Sequence, residues 1–516
     1  MCNTIVMRRE SLEKNGLFEY YAPRIEMSLG ARAEMLSPCG RFRQIQTTEE
    51  RVARKLLDIL SRIDAIQSNT LVAQSGTPIN WLRLLDYLHE RGIIGAPYFA
   101  PRTFGNDLPK LASAALYPPV RAENADGNKV SYSGYSTARS IEEAMSKAVG
   151  EMLERHFLTQ YRQNSLLIDT PARLHERGAI FLDPANLNRF LPWQIKQNPL
   201  FERSRESTFS WVSGTELFEG KGAYIPAQLV FWNYARRLDP PENILADQTT
   251  SGAAGHFTRN EALLSALLEL IERDGFLVYW LNSLSPRVVD VASSRDPDII
   301  ALLEYAKRYR LELFFLNTST EMGVPSLTSV VVDRAGDGPV ISIGGGTGFD
   351  FKEIVLRSAL EALSVHNSSV RGETIPVPKN YEPFTRRDIQ RSERLHIWRG
   401  KMMYERFAFF LAGSSQSPKD FIGDAETYTS ANAQLEHILG TLREMGPGYE
   451  PYAYEVRNDV LSTLGYHVVR VIVPQLVPLY LKENMATLDA RRLREAPGRL
   501  GYTPASSLNP WPHPFP

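Results

Sequence analysis

From Thr47 to Ile66 the apolar residues Val52, Leu56, Leu57 and Leu60 recur on one face at helical spacing. Thr47 or Thr48 caps that segment, and Glu49 and Glu50 place acid in its first turn, so a helix is expected there. A second helix is expected over INWLRLLDYLHERG, ending at Gly92. The chain then turns Pro-rich, in APYFAP and LYPPV, which puts a domain boundary between about Gly95 and Ala122. Beyond it, LELFFLNTS, LTSVVVD, PVISIGG and GYHVVRVIVP read as strands and PDIIALLEYAKRYR as a helix. This alternation predicts an α/β fold with mixed sheets, preceded by a helical extension over residues 1–120. The extension reads either as a small, winged-helix-like interaction module or as a cover for one side of the main domain, residues 121–516.

Three segments of the main domain share a pattern. They begin at Ser133 (SGYSTARSIEEAMSKAVGEMLERHF), Ser251 (SGAAGHFTRNEALLSALLELIERDGF) and Ile343 (IGGGTGFDFKEIVLRSALEALSVHN). In each, a glycine (Gly134, Gly252, Gly344) stands nine residues before a glutamate (Glu143, Glu261, Glu353), and a second glutamate (Glu151, Glu269, Glu361) follows eight residues later. The first two copies continue as Glu-x-x-Glu-Arg, through Glu154 and Arg155 and through Glu272 and Arg273. The third has Ser364 where the next glutamate would stand. Each copy reads as a strand, a glycine-containing turn and a helix, with the turn able to bring backbone N–H groups close to an anion. Residues at i and i+3 share a helix face, as does the residue four positions earlier, here Lys147, Ser265 and Arg357.

A solvated helix face explains one Glu-x-x-Glu-Arg. Two copies on strongly apolar helices, at the same distance from a glycine, point instead to carboxylates gathered in a buried place. Such acids repel, and a hard divalent cation relieves them. Glutamates holding Mg²⁺ and arginines holding phosphates is the arrangement the pattern suggests. No P-loop or Rossmann fingerprint occurs, so a nucleotide would be held unconventionally. Gly344–Gly346 with Thr347 and Gly348 reads equally well as a hairpin turn.

The 516 residues carry 58 Lys and Arg against 59 Asp and Glu, a formal net charge of -1. A balanced chain has no global field for nucleic acid or anionic lipid, so neither nucleic acid nor membrane is expected as a main ligand. Cys2 and Cys39 lack partners at ligand spacing, which excludes a disulfide framework or a Cys-rich zinc site. No apolar run resembles a signal peptide or a membrane span, and a soluble, cytoplasmic protein is expected. His156 and His256 have no metal-spaced partner, and the aromatic run Phe276–Trp280 reads as helix packing.

These motifs resemble those of the YcaO family. Its first ATP-site signature, Ser-x3-Glu-x2-Glu-Arg, appears as Lys147-AVG-Glu151-ML-Glu154-Arg155, with Lys in place of Ser. The second acidic helix is Ser265-ALL-Glu269-LI-Glu272-Arg273, and the Arg-x3-Glu-x2-Gln block matches at Arg357 and Glu361 with Ser364 in place of Gln. GYHVVRVIVPQLVPLY resembles the late strand and turn of the azoline-forming branch, and Pro512, Pro514 and Pro516 match its terminal Pro-x-Pro-x-Pro. The resemblance covers roughly residues 120–516.

It implies a YcaO-like α/β fold of repeated strand-turn-helix units with ATP and Mg²⁺ as cofactors. It also implies ATP-dependent cyclodehydration of Cys, Ser or Thr in a ribosomally made precursor peptide, through phosphorylation of the amide-derived oxyanion. Glu151, Glu154, Glu269, Glu272 and Glu361 would then coordinate Mg²⁺. Arg273 and Arg357 would contact phosphate, and Ser251 and Gly252 the nucleotide. Arg155 and Lys147 join that set, with Arg155 orienting the acids as its other reading. The Pro-rich tail, residues 505–516, would deliver the Pro516 carboxylate to the site as base or positioner, with Pro512 and Pro514 stiffening it. Deleting the last few residues is expected to leave folding intact and abolish cyclisation.

The similarity to microcin-type synthetases implies a separate E1-like or leader-binding subunit and a flavin-dependent azoline dehydrogenase as partners. It leaves room for a homodimer within the complex, and for the extension to dock a partner or read the leader. Thioamide or amidine formation is the alternative within the same chemistry. A non-catalytic docking subunit is the alternative outside it, kept open by Lys147 and Ser364.

Overall fold

The structure, a computed structural model, describes residues 71–72, 78–79, 81–100, 112–138, 141–335, 340–369, 381–385, 389 and 391–515. The chain divides into two units, residues 1–72 with 78–82 and residues 73–77 with 83–516. Of the first, the described part includes the antiparallel pairing of Leu71–Val72 with Pro78–Ile79. The helix expected over Thr47–Ile66 lies outside the described residues. The second expected helix is α1 (Trp81–Glu90), which buries Leu85 and Leu88 and stops at Gly92, where φ is +68°.

Strands β1 (Ala96–Ala100), β2 (Ala112–Tyr117) and β3 (Gly134–Ala138) form an antiparallel sheet that leads into helix α2 (Ile141–Thr159). Next come β4 (Leu167–Asp169), β5 (Phe209–Glu216), β6 (Lys221–Pro226) and β7 (Ala253–His256), then helix α3 (Arg259–Leu281). After β8 (Val288–Val289), helix α4 (Pro297–Arg308) precedes β9 (Leu311–Asn317), β10 (Ser326–Asp333) and β11 (Val340–Thr347). Helix α5 (Phe351–Ser369), strand β12 (Ser415–Gln416), helix α6 (Ala431–Glu444) and strands β13 (Tyr452–Glu455) and β14 (His467–Ile472) complete the set used below.

The second sheet runs β4-β5-β13-β14-β7, with β6 also on β5, and the third runs β11-β10-β9-β8-β12. Their ladders are antiparallel except for β8 with β12, whose parallel pairing makes the third sheet mixed. All four strand segments and the helix expected from periodicity are present, within a few residues of their bounds. Helix α3 is buried along most of its length, because it serves two cores. Its first half packs with α4, α5 and α6, while Phe276–Leu281 packs with Trp398, Phe407, Phe410 and Phe515.

Each repeat is a strand with the following helix laid on it: α2 on β3, α3 on β7 and α5 on β11. The repeats also form a ring. Helix α2 packs against β7 of the second copy, α3 against β11 of the third, and α5 against β3 of the first. The glycines do not sit in a turn between strand and helix, as the pattern suggested. Gly134 opens β3, Gly344 lies inside β11, and Gly252 directly precedes β7. Their role is close packing: a Cβ on Gly134 would stand 2.0 Å from the Ala148 carbonyl oxygen, and one on Gly344 would stand 2.5 Å from that of Ser358. The glycine run 344–346 is likewise strand interior rather than a hairpin turn.

Gly134→Ala is therefore expected to destabilise the protein by about 2–3 kcal/mol through overpacking, read as a lower urea midpoint. Gly222→Ala, with nothing within 4 Å of its added carbon, should leave that midpoint unchanged.

Candidate active site

The ring brings the repeated acids together. In each copy the glutamate on the helix accepts a backbone N–H from its own strand segment. Glu151 Oε2 lies 2.5 Å from the Tyr135 nitrogen, Glu269 Oε2 lies 2.9 Å from that of Gly252, and Glu361 Oε2 lies 2.7 Å from that of Gly345. The residue three positions later crosses to the next copy. Glu154 accepts the Gly255 N–H, Glu272 Oε1 stands 2.3 Å from where a Cβ of Gly345 would be, and Ser364 Oγ is 3.1 Å from Thr137 Oγ1. The serine that replaces an acid in the third copy thus closes the ring with a neutral contact.

Five carboxylates converge, and among the described residues Arg155 and Arg273 are in direct contact with them. Arg155 pairs with Glu151 and donates to the Ser133 carbonyl oxygen at 2.6 Å. Arg273 donates to Glu272 at 2.6 Å and lies 3.5 Å from Glu269. Burial pushes the Glu154 carboxyl well above the usual range, and the charges of Glu151 and Glu269 push it further, against the Gly255 N–H and Arg155. Glu272 is pushed up to about 7 by burial; Arg273 and Arg357 oppose the shift, while Glu361 and Glu269 add to it. Glu272 Oε2 is buried without a hydrogen-bond partner, as are the Nε atoms of Arg155 and Arg273.

Ser251 is buried beside Gly252, whose φ is +83°. Lys147 is exposed and held by Glu143 at 2.6 Å, and Arg357 is exposed beside Glu272. The histidines stay outside this constellation. His156, half-buried against the Tyr132 hydroxyl at 2.8 Å, is pushed down to about 4 by desolvation, and His256 pairs with Glu261 at 2.7 Å.

The tail is part of the core. Four successive carbonyl oxygens are held by four side chains: Pro510 by the Tyr381 hydroxyl at 2.7 Å, Trp511 by Trp280 Nε1 at 3.2 Å, Pro512 by Trp398 Nε1 at 3.1 Å, and His513 by Arg394 at 3.1 Å. His513 and Phe515 are fully buried, and Pro512 and Pro514 are buried with them. The Phe515 ring lies 4.0 Å under the Arg273 guanidinium carbon, at the edge of the acid cluster. Pro516 lies outside the described residues. The expectation that the last few residues can be deleted without harm to folding is corrected by this burial, since His513 and Phe515 would leave a hole beside Phe276.

Residues that pattern reasoning missed also border the site. Arg470, buried in β14, is electrostatically coupled to Glu269, and burial lowers it to about 10. Tyr466 is packed against Gly255, and burial together with Glu154 raises its hydroxyl. Trp232 lies 5.3 Å from the Arg155 guanidinium carbon. Only Arg470 left a trace in the sequence, as the one charge inside the apolar run HVVRVIV.

A family model described as YcaO cyclodehydratase, ATP- and Mg²⁺-binding, matches residues 136–477. This chain belongs to the YcaO family. A protein of Methanothermobacter thermautotrophicus described as uncharacterized is 27% identical over 369 residues, which cover 70% of this chain and 85% of that protein. The solved structure described as a heterocyclase in complex with substrate and cofactor is similar with a TM-score of 0.64 at 18% identity. That match covers 87% of this chain and 59% of the heterocyclase, so the chain spans about three fifths of that protein's length. The YcaO protein from Methanopyrus kandleri, bound with AMPPCP and Mg²⁺, has a TM-score of 0.55 at 20% identity, covering 79% of this chain and 92% of that one. Among the described residues no helix is long and apolar enough to cross a membrane.

The YcaO cofactors, ATP and Mg²⁺, fit the donors present. Among the described residues no three His, Cys, Asp or Glu side chains form a ready metal cage. Mg²⁺ needs none, because it is usually bound through one or two carboxylates together with substrate phosphates. An unpartnered buried Glu272 oxygen and an excess of carboxylate suit that cation, and unpartnered arginine donors suit phosphate.

The acid cluster has a pH signature. Glu272 titrates near 7 when folded and near 4.5 when unfolded, so the native state binds the extra proton between these values and stability falls as pH rises through them. Glu272→Gln is expected to raise unfolding stability at pH 8 by on the order of 1 kcal/mol and to leave it unchanged at pH 4, measured by urea unfolding at both.

Proposed function

We propose that this YcaO protein carries out ATP- and Mg²⁺-dependent cyclodehydration of Cys, Ser or Thr residues in a ribosomally made precursor peptide. The observation that carries the reading is the convergence of the five glutamates with Arg155 and Arg273 at the point where the tail arrives. Bound Mg-ATP would supply the phosphoryl group that turns the amide oxygen into a leaving group.

The proposed roles follow from placement. Glu151, Glu154, Glu269, Glu272 and Glu361 hold Mg²⁺, with strand N–H groups fixing Glu151, Glu269 and Glu361. Arg273 and Arg357 hold phosphate, Arg155 orients the acids, and Ser251 with the Gly252 backbone contacts the nucleotide. Lys147, at the rim, exchanges Glu143 for the nucleotide. Phe515, pinned under Arg273, sets where the Pro516 carboxylate acts on the substrate, and Pro512 and Pro514 keep that segment extended. Residues 121–516 form the catalytic domain, and residues 1–120 dock a leader or an E1-like partner. A flavin-dependent dehydrogenase would oxidise the azolines. The heterocyclase whose structure contains substrate and cofactor supports the peptide-modifying reading by its shared fold.

Reconstitution with the precursor peptide and partner subunits, following phosphate release alongside product mass, tests this. Loss of one water per modified residue is expected; exchange of oxygen for sulfur would assign thioamide formation instead. Nucleotide binding without peptide-dependent phosphate release would make the chain a docking subunit. Glu269→Ala should lower both signals at least about 100-fold. Deletion of Pro516 alone, which spares the buried His513 and Phe515, should lower cyclisation by about 100-fold with an unchanged melting temperature.

A further inference from the structure

The second sheet has a gap beside β5. On one edge of that strand β4 pairs as far as Trp211 (with Leu167), and β13 pairs from Thr215 (with Ala453). Among the described residues nothing is paired opposite Val212, Ser213 and Gly214 on that side. In an antiparallel strand the N–H and C=O of one residue point to the same side, and successive residues alternate. Here the direction is fixed by neighbours: the Ser210 N–H turns away to Glu242, while Leu217 donates to the Pro451 carbonyl oxygen on the β13 side. Odd-numbered residues of β5 therefore face the gap. Trp211 and Thr215 have strand partners there; Ser213 does not. Its N–H and C=O are presented outward from an exposed residue with the polarity of an open strand edge.

The gap opens into a cavity of about 550 Å³, within the range of ordinary ligand pockets. Trp211, Tyr224, Phe231 and Tyr454 form aromatic walls, Tyr161 stacks on Phe231 at 5.0 Å, and Arg162 is the charged side chain at the lining. Two walls continue to the acid cluster. Phe231 is followed by Trp232 under Arg155, and Tyr454 is paired with Arg470, which is coupled to Glu269.

We infer that this gap is a recognition subsite for the peptide substrate, in which an extended stretch flanking the modified residue bridges β5 by pairing its main chain with the N–H and C=O of Ser213. The inference rests on the peptide-modifying reading above. Between Trp211 and Thr215 the strand advances about 13 Å, room for a stretch of about three residues. An extended main chain supplies both the acceptor and the donor that Ser213 lacks, and one peptide side chain enters the aromatic cavity. Backbone pairing tolerates variation in the peptide's flanking sequence. Arg162 disfavours a cationic residue at that position and favours an acidic one.

The probe is a fluorescein-labelled precursor peptide of Cys-, Ser- and Thr-containing sequence with an acidic flanking residue, added to the full chain with Mg-AMPPNP. Amide exchange on the wild-type protein should show the Ser213 N–H slowed at least about tenfold by the peptide. Ser213→Pro removes that N–H at an open edge where proline is tolerated; it should weaken peptide binding at least about tenfold and leave Mg-AMPPNP binding unchanged. Glu269→Ala should retain peptide binding while losing turnover. If wild type binds and modifies the peptide with no protection of Ser213, or Ser213→Pro binds it normally, the subsite is refuted and the proposed function stands. If no precursor peptide binds or is modified, both fall. Loss of Mg-AMPPNP by a folded Ser213→Pro would assign the cavity to the nucleotide and overturn the inference. Should that variant not fold, amide exchange on the wild-type protein decides alone.

Discussion

Carboxylates gathered in a poorly solvated place repel one another, and the ring of repeats is organised around tolerating that repulsion. Each of Glu151, Glu269 and Glu361 is anchored by a strand N–H, and two of the helices reach across to the neighbouring strand with a second acid. The backbone donors fix where these carboxylates stand. The anchoring also demands that helix and strand nearly touch, which explains why a glycine recurs at the same distance from the acid in every copy. Gly134 and Gly344 leave room for the helix backbone, and the glutamate can then span the short remaining distance. Packing and charge are thus one constraint rather than two.

The parts of this arrangement that were legible in the sequence are those that repeat at fixed spacing. Helical periodicity put Glu151 and Glu154, and Glu269 and Glu272, on shared faces, and the apolar positions around them signalled burial. The glycine spacing was visible, but its meaning was misread, since a glycine needed for close approach and one needed for a turn look alike in a linear chain. The closure of the ring was not legible, because Thr137 and Ser364 are 227 residues apart and neither type announces a contact. The gap beside Ser213 was equally hidden: an unpaired stretch of β5 depends on where β4 and β13 stop, and their ends are set by tertiary packing.

The tail shows a related coupling between distant parts. A Pro-rich end pays little conformational entropy when it is ordered, and here each of four successive carbonyls finds a donor. Three of those donors, Trp280, Trp398 and Arg394, are buried and held by aromatic packing or by the Arg394–Glu483 ion pair at 2.6 Å. The tail is therefore fixed by the same core that fixes the second half of α3, and the first half of α3 carries Glu269 and Glu272. One helix links the position of Phe515 to the acid cluster through Phe276 and Arg273.

The third copy gives the ring its polarity. A glutamate at position 364 would bring a sixth carboxylate to the ring; Ser364 instead meets the Thr137 hydroxyl at 3.1 Å. The second acids of the ring therefore stand at the two junctions occupied by Glu154 and Glu272, where burial favours their protonated form. Burial and neighbouring carboxylates raise both groups, and Glu272 keeps an unpartnered oxygen. The ring is thus asymmetric, and Arg273 and Phe515 stand on its Glu272 side. Threefold repetition supplies the scaffold, and one missing acid supplies the direction.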